Sequence, residues 1–136
     1  DGPQVARGRG TELEALELSQ DFWIVLVLPH DVRKRSTGEV YAGFDRADGF
    51  DARRTALLDA LRNVRHASDL AELPPNDLAT SPLADELHRV GAFRADVSGA
   101  GPAVYGLFLL ESDAAAAARR LRPFGRVWSG VPAWYG

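Results

Sequence analysis

Residues 92–110, AFRADVSGAGPAVYGLFLL, decide the fold. Phe93, Ala95 and Val97 alternate with Arg94 and Asp96, the period of two expected of a strand with one buried face. Ser98-Gly99-Ala100-Gly101-Pro102 then breaks the pattern. Beyond it, Val104, Tyr105, Leu107, Phe108, Leu109 and Leu110 form a nearly continuous apolar run, as in a buried central strand. The whole reads as strand, tight turn, strand. Two glycines around one alanine leave a backbone with little bulk, whose N–H groups could face an anion. On residue types alone, an ordinary hairpin with glycines at positive φ fits better than a phosphate-facing loop.

Working outward, Ser81-Pro82 before this stretch starts a helix, with Ser at the N-cap and Pro in the first turn. Leu83, Leu87 and Val90 form its buried stripe, and Gly91 closes it. After the stretch, Asp113 opens an alanine-rich helix to Leu121 with arginines at its C-terminal end. Pro123 and Gly125 end that helix, and Arg126–Trp134 reads as a last strand. Upstream, residues 22–29 (FWIVLVLP) form the strongest strand of the chain. Its lack of alternation predicts burial on both faces or an interface over one of them. Arg33-Lys34-Arg35 follows as a solvated basic loop. Ser36 and Glu39 have capping-box spacing for a short helix through Val40, Tyr41 and Phe44. Asp48-Gly49 is a turn. A longer helix is predicted from Asp51 to about Ala67, with Leu57, Leu58, Leu61 and Val64 on one face. Residues 70–80 (LAELPPNDLAT) read as an irregular connector.

This order of elements predicts an α+β fold of the ferredoxin-like, split βαβ kind: a four-stranded antiparallel sheet with helices on one face. Residues 1–136 make a single domain, with 1–20 as a lead-in and 21–136 as the core. Within the lead-in, Gly8 to Glu12 suggests a turn feeding a short strand or bend, and Arg7 and Arg9 read as solvated.

Apolar and charged contents of 46% and 26% are ordinary globular values. A net charge of −3 gives no reason to expect nucleic acid or an anionic membrane as a partner. No run is apolar for long enough to cross a bilayer, and the absence of cysteine fits a cytoplasmic setting. The chain has no methionine and opens Asp1-Gly2-Pro3, so the expectation is a piece of something larger.

Catalytic machinery is not evident. His30, His66 and His88 lack ligand spacing, so no metal site is expected. No nucleophile elbow, Walker A loop or dinucleotide fingerprint is present. Asp77 and Asp96 have no obvious partner in the sequence.

Four stretches nevertheless resemble, in order and spacing, the C-terminal half of the GHMP kinases. Residues 6–13 (ARGRGTEL) look like the family's "GxGE" segment. Residues 22–29 with Ser36-Thr37 look like its "vlvxP…vsT" stretch. Pro75-Asn76-Asp77-Leu78 is similar to its "NDLE" segment, and residues 94–108 resemble its third motif, "mSGSGPtvFgLF". The resemblance implies part of an ATP-dependent kinase that phosphorylates a small-molecule alcohol, within the branch serving non-mevalonate isoprenoid precursor synthesis. It places Ser98, Gly99, Ala100, Gly101 and Pro102 beside the loop that holds the ATP phosphates, and gives Asn76 and Asp77 a structural role. Ala100 stands where a Ser or Thr is more usual, and Thr11 precedes Glu12 where the glycines would lead straight to Glu. The family's nucleotide loop and its catalytic Lys and Asp would lie upstream of residue 1. The resemblance therefore implies a missing N-terminal domain as partner, and ATP with Mg2+ for the complete enzyme. The 136 residues alone should neither hold ATP tightly nor transfer phosphate. The alternatives are a stand-alone ferredoxin-like binding or regulatory module, self-associating as a homodimer through its open sheet face, and a GHMP kinase of mevalonate or homoserine type.

Overall fold

The chain opens with a hairpin, β1 (Gln4–Arg7) and β2 (Glu12–Ala15), which forms a two-stranded antiparallel sheet by itself. Gly8 and Gly10 take positive φ in its turn. The lead-in is thus a paired hairpin, one strand more than its sequence suggests. The strand β3 (Trp23–Pro29) follows, then two helices, α1 (Thr37–Ala42) and α2 (Phe50–Asn63), and a 3-10 helix at Ala67–Glu72. Next come α3 (Pro82–Arg89), β4 (Arg94–Val97), β5 (Val104–Phe108), α4 (Glu111–Leu121) and, after a short 3-10 turn, β6 (Gly125–Gly130). This computed structural model describes residues 2–32, 36–44 and 49–133. The basic Arg33-Lys34-Arg35 loop, the Asp48 half of the Asp48-Gly49 turn, and Trp134 and Tyr135 lie outside the described residues.

The second sheet has the order β4-β5-β3-β6, every neighbour antiparallel. That is the split βαβ arrangement expected from the order of elements. Alternation along each strand sorts the side chains by face. Val25, Val27, Ala95, Val97, Val104 and Phe108 meet Leu87 of α3 and Ala114, Ala117 and Leu121 of α4 in one continuous core. The opposite face carries Ile24, Tyr105 and Leu107. It packs on Phe22, Phe93, and Ala67 and Leu70 of the 3-10 helix. β3 is therefore sealed by helices on one side and only partly covered on the other, and Leu28 and Trp128 remain exposed.

Local signals set several element ends. Ser36 and Glu39 form the expected capping box at α1. Ser81 Oγ accepts the Leu83 N–H at α3, and Gly91 ends that helix at φ +101°. α2 stops at Asn63, earlier than its sequence suggests, because Val64 turns to extended backbone and is itself buried. Its apolar stripe is not packed away as expected: α2 has no buried residue, and Leu57 stays exposed. Asp69 then accepts from the His66 and Arg65 N–H groups (2.8 and 2.9 Å). Those bonds, His66 first, hold its carboxyl below the ordinary aspartate pKa. α4 begins at Glu111, two residues before the predicted Asp113, and β6 ends at Gly130 short of the predicted Trp134.

Close approach of α3 to the sheet requires glycine at position 106. A Cβ built there would lie 2.8 Å from Leu87 Cδ2 and 3.3 Å from Leu87 Cβ. Leu87 has no exposed surface and so no room to retreat. Gly106→Ala should cost about 1–3 kcal/mol in urea unfolding. Leu87→Ala alone should cost about 2–5 kcal/mol. The double variant should lose less than the sum of the two single losses, because the shortened side chain makes room for the new methyl. A stability equal to the parent would remove the packing argument.

Candidate functional site

The Gly-rich turn joins the C-terminal end of β4 to the start of β5. Its closure is local: the Ser98 N–H donates to Ala103 O (2.8 Å), and the Gly101 N–H to Ser98 O (3.0 Å). Gly99 and Gly101 sit at φ +56° and +76°, a region that strains other residues, and the Gly101-Pro102 bond is cis. The turn expected from the sequence is present.

What the sequence does not reveal is how the turn is fastened. Asn76 donates both carboxamide hydrogens to it, to Val97 O (2.9 Å) and Gly99 O (2.7 Å). Its Oδ1 accepts the Leu78 N–H (2.9 Å), which folds residues 76–78 into an Asx turn. Two carbonyl acceptors and one N–H donor fix which end of the carboxamide is nitrogen. The backbone N–H of Asn76 donates to Asp96 Oδ2 at 2.7 Å. Asp96 also accepts from the Val97 N–H and from Arg94 Nη2, each at 2.8 Å. Arg94 in turn donates to Pro74 O (2.8 Å) and to Leu73 O.

Here the expectation that Arg94 and Asp96 occupy the exposed face of β4 is corrected. Asp96 is buried, and both side chains are nearly so, at 12% and 10% exposed. They lie on the same side of the strand, two residues apart, and burial is tolerable because each charge meets the other and further polar atoms. Asp77 is also partnered, with Arg53 at 3.1 Å, an exposed pair. The spacing of Arg94 and Asp96 beside the apolar run of β5 was the available signal for the buried pair. Nothing local marked the reach of Asn76 across twenty residues.

A groove of about 530 Å³ runs beside the turn. Ala100, Gly101 and Pro102 line it, with Val40 and Phe44 from the α1 region and residues 77–82 opposite. Ser98 and Gly99 are exposed and do not contribute to its lining. Neither the Gly99 nor the Ala100 N–H donates to any described residue. Among the described residues no Lys or Arg lines the groove, and no cluster of three metal-ligating side chains exists. For a nucleotide's phosphates these residues fit one edge of a site, two N–H donors on an uncrowded turn, and not a whole one. No transfer step is assigned to them.

A ferredoxin-like domain with a tethered Gly-rich turn on a groove is the class that fold and site define. The chain belongs to the GHMP kinases: the family model described as "GHMP kinases C terminal" matches residues 48–126, more than half of it. It is 35% identical to the 4-diphosphocytidyl-2-C-methyl-D-erythritol kinase of Prosthecochloris aestuarii over 131 residues, covering 88% of this chain and 44% of that protein. It is also 35% identical to the Moorella thermoacetica enzyme of the same name, covering 78% of this chain and 41% of that one. The chain thus spans less than half the length of these relatives. Among solved structures, a 4-(cytidine 5'-diphospho)-2C-methyl-D-erythritol kinase superposes with a TM-score of 0.62 at 25% identity, over 94% of this chain and 48% of the other. Homoserine kinase from Cytophaga hutchinsonii superposes at 0.71 with 12% identity, over 94% of this chain and 47% of the other, a likeness of fold alone.

Proposed function

We propose that this chain is the C-terminal part of an ATP-dependent kinase of the 4-diphosphocytidyl-2-C-methyl-D-erythritol type. The complete enzyme phosphorylates that alcohol, using ATP and Mg2+, in the cytoplasm and in isoprenoid precursor synthesis. An N-terminal domain supplies the nucleotide loop, the catalytic groups and most of the substrate contacts. In this reading Ser98, Gly99, Ala100, Gly101 and Pro102 lie against that domain and support the ATP phosphates. The Gly99 and Ala100 N–H groups, without a described partner beside the groove, are the observation that carries the role. The two relatives at 35% identity support the substrate. No helix among the described residues is long and apolar enough to cross a membrane.

The test is the protein expressed from its complete gene, assayed for ADP release with 4-diphosphocytidyl-2-C-methyl-D-erythritol, homoserine and mevalonate in turn. Turnover of the first, with the other two at background, is the expected result. Preference for homoserine or mevalonate would keep the kinase and replace its substrate. No turnover, with a native mass near the 14.8 kDa of this chain, would instead favour a stand-alone binding module, for which the groove is the ligand site.

A further inference from the structure

We propose that Asn76 is a positioning residue: it sets which way the Gly99-Ala100 peptide faces, and so aims the Ala100 N–H at the phosphates. The inference rests on the phosphate-supporting role proposed for the turn and adds the residue that controls it. A trans peptide is planar, with its C=O and N–H pointing in opposite directions. Asn76 holds Gly99 O at 2.7 Å, so the N–H of the same peptide, that of Ala100, points away from Asn76. The Val97-Ser98 peptide obeys the same rule. Asn76 holds Val97 O, and the Ser98 N–H of that peptide donates away from it, to Ala103 O.

Turning this peptide over rotates ψ of Gly99 and φ of Ala100. Gly99 carries no Cβ and nothing stands within 4 Å of where one would be, so it offers no resistance. Ala100, whose φ is not positive now, would enter the left-handed region at a steric cost, and the Asn76 bond adds to that barrier. Turned over, the peptide would present Gly99 O outward, an acceptor where an anion needs a donor. Asn76 is itself fixed through its N–H to buried Asp96, and Asp96 through Arg94 to residues 73 and 74. The segment that resembles the family's "NDLE" motif is thereby mechanically linked to the turn.

Asn76→Asp separates this role from a general structural one. The carboxylate keeps an acceptor for the Leu78 N–H, but it faces two carbonyl oxygens without a hydrogen to give. The favourable response is for the Gly99-Ala100 peptide to turn its N–H toward the carboxylate. Asn76→Ala removes the hold without rewarding the turned-over state. In the protein expressed from its complete gene, Asn76→Asp should therefore raise the KM for ATP by about tenfold or more. Both variants lose the bonds to Val97 O and Gly99 O and so some melting temperature. The KM for the alcohol should change little, and Asn76→Ala should fall between parent and Asp variant in KM for ATP. Hydrogen–deuterium exchange should change in Asn76→Asp over residues 98–105 more than over the rest of the sheet. If both KM values move together, or activity follows melting temperature across the variants, the positioning role is wrong. If the parent protein shows no kinase activity, the phosphate reading fails. Exchange then decides the orientation: a changed turn in Asn76→Asp upholds the hold on the peptide, and an unchanged one overturns it.

Discussion

Replacing Arg94 by Met should destabilise the domain by about 3–5 kcal/mol, the cost of leaving a buried charge without its partner. Asp96 would keep the N–H groups of Asn76 and Val97 but lose the guanidinium. The carbonyls of Leu73 and Pro74 would lose their donor as well. The exposed pair Arg7–Glu14, though close at 2.6 Å, is the control. Arg7→Ala should cost no more than about 1 kcal/mol, because water screens that pair. A double change, Arg94→Met with Asp96→Asn, should recover part of the loss, since a neutral carboxamide need not be paired with a cation. Denaturant unfolding of the two single variants and the double gives the coupling directly. A loss under 1 kcal/mol for Arg94→Met would mean that the backbone donors satisfy Asp96 alone. If Asn76 positions the turn as proposed, the same change should also raise the KM for ATP of the protein expressed from its complete gene, because Asp96 anchors the backbone of Asn76.

How much of this was legible in the sequence follows from the range of each interaction. The strands and caps were readable because their signals are local. The run FWIVLVLP before β3's end at Pro29, the Ser36/Glu39 box and the Ser81-Pro82 start each act within one turn or one strand. Their order was enough for the sheet topology. Misreadings occurred where a distant contact overrode local pattern. α2 has a helical apolar stripe, yet it ends where Val64 is drawn into the core, and Leu57 stays in water. Alternation put Arg94 and Asp96 outside; the connector around Pro74 instead folds over them and supplies carbonyl acceptors. For the candidate site, the turn itself was visible as Gly-Ala-Gly. Its tether was not, because Asn76 meets Gly99 only after α3 and β4 have brought the connector back. Asn after two prolines looks like any turn residue until that return is known.

Gly101→Val should be the most damaging single change within the turn, and comparison with Gly99→Ala shows why. Both glycines have positive φ, so either substitution carries backbone strain of about 1–3 kcal/mol. At Gly99 strain is the whole cost, because nothing lies within 4 Å of the new Cβ. At Gly101 the new Cβ also meets Val97 Cγ1 at 3.2 Å. Val97 is buried at the end of β4 and opposes Val104 across the sheet, so it cannot move aside without disturbing the core. Relief must come from the turn itself, by lengthening the Gly101 N–H bond to Ser98 O and shifting the Ala100 amide. If that amide stabilises charge on the transferring phosphate, its displacement should lower kcat of the complete enzyme by about a hundredfold. Gly99→Ala should lower the melting temperature while leaving most of the turnover. A loss of kcat in Gly101→Val larger than its loss of melting temperature accounts for, judged against Gly99→Ala, would therefore place the function in the turn's position rather than in the fold. A Gly101→Val enzyme with parental kcat would show that these amides do not touch the reacting phosphate.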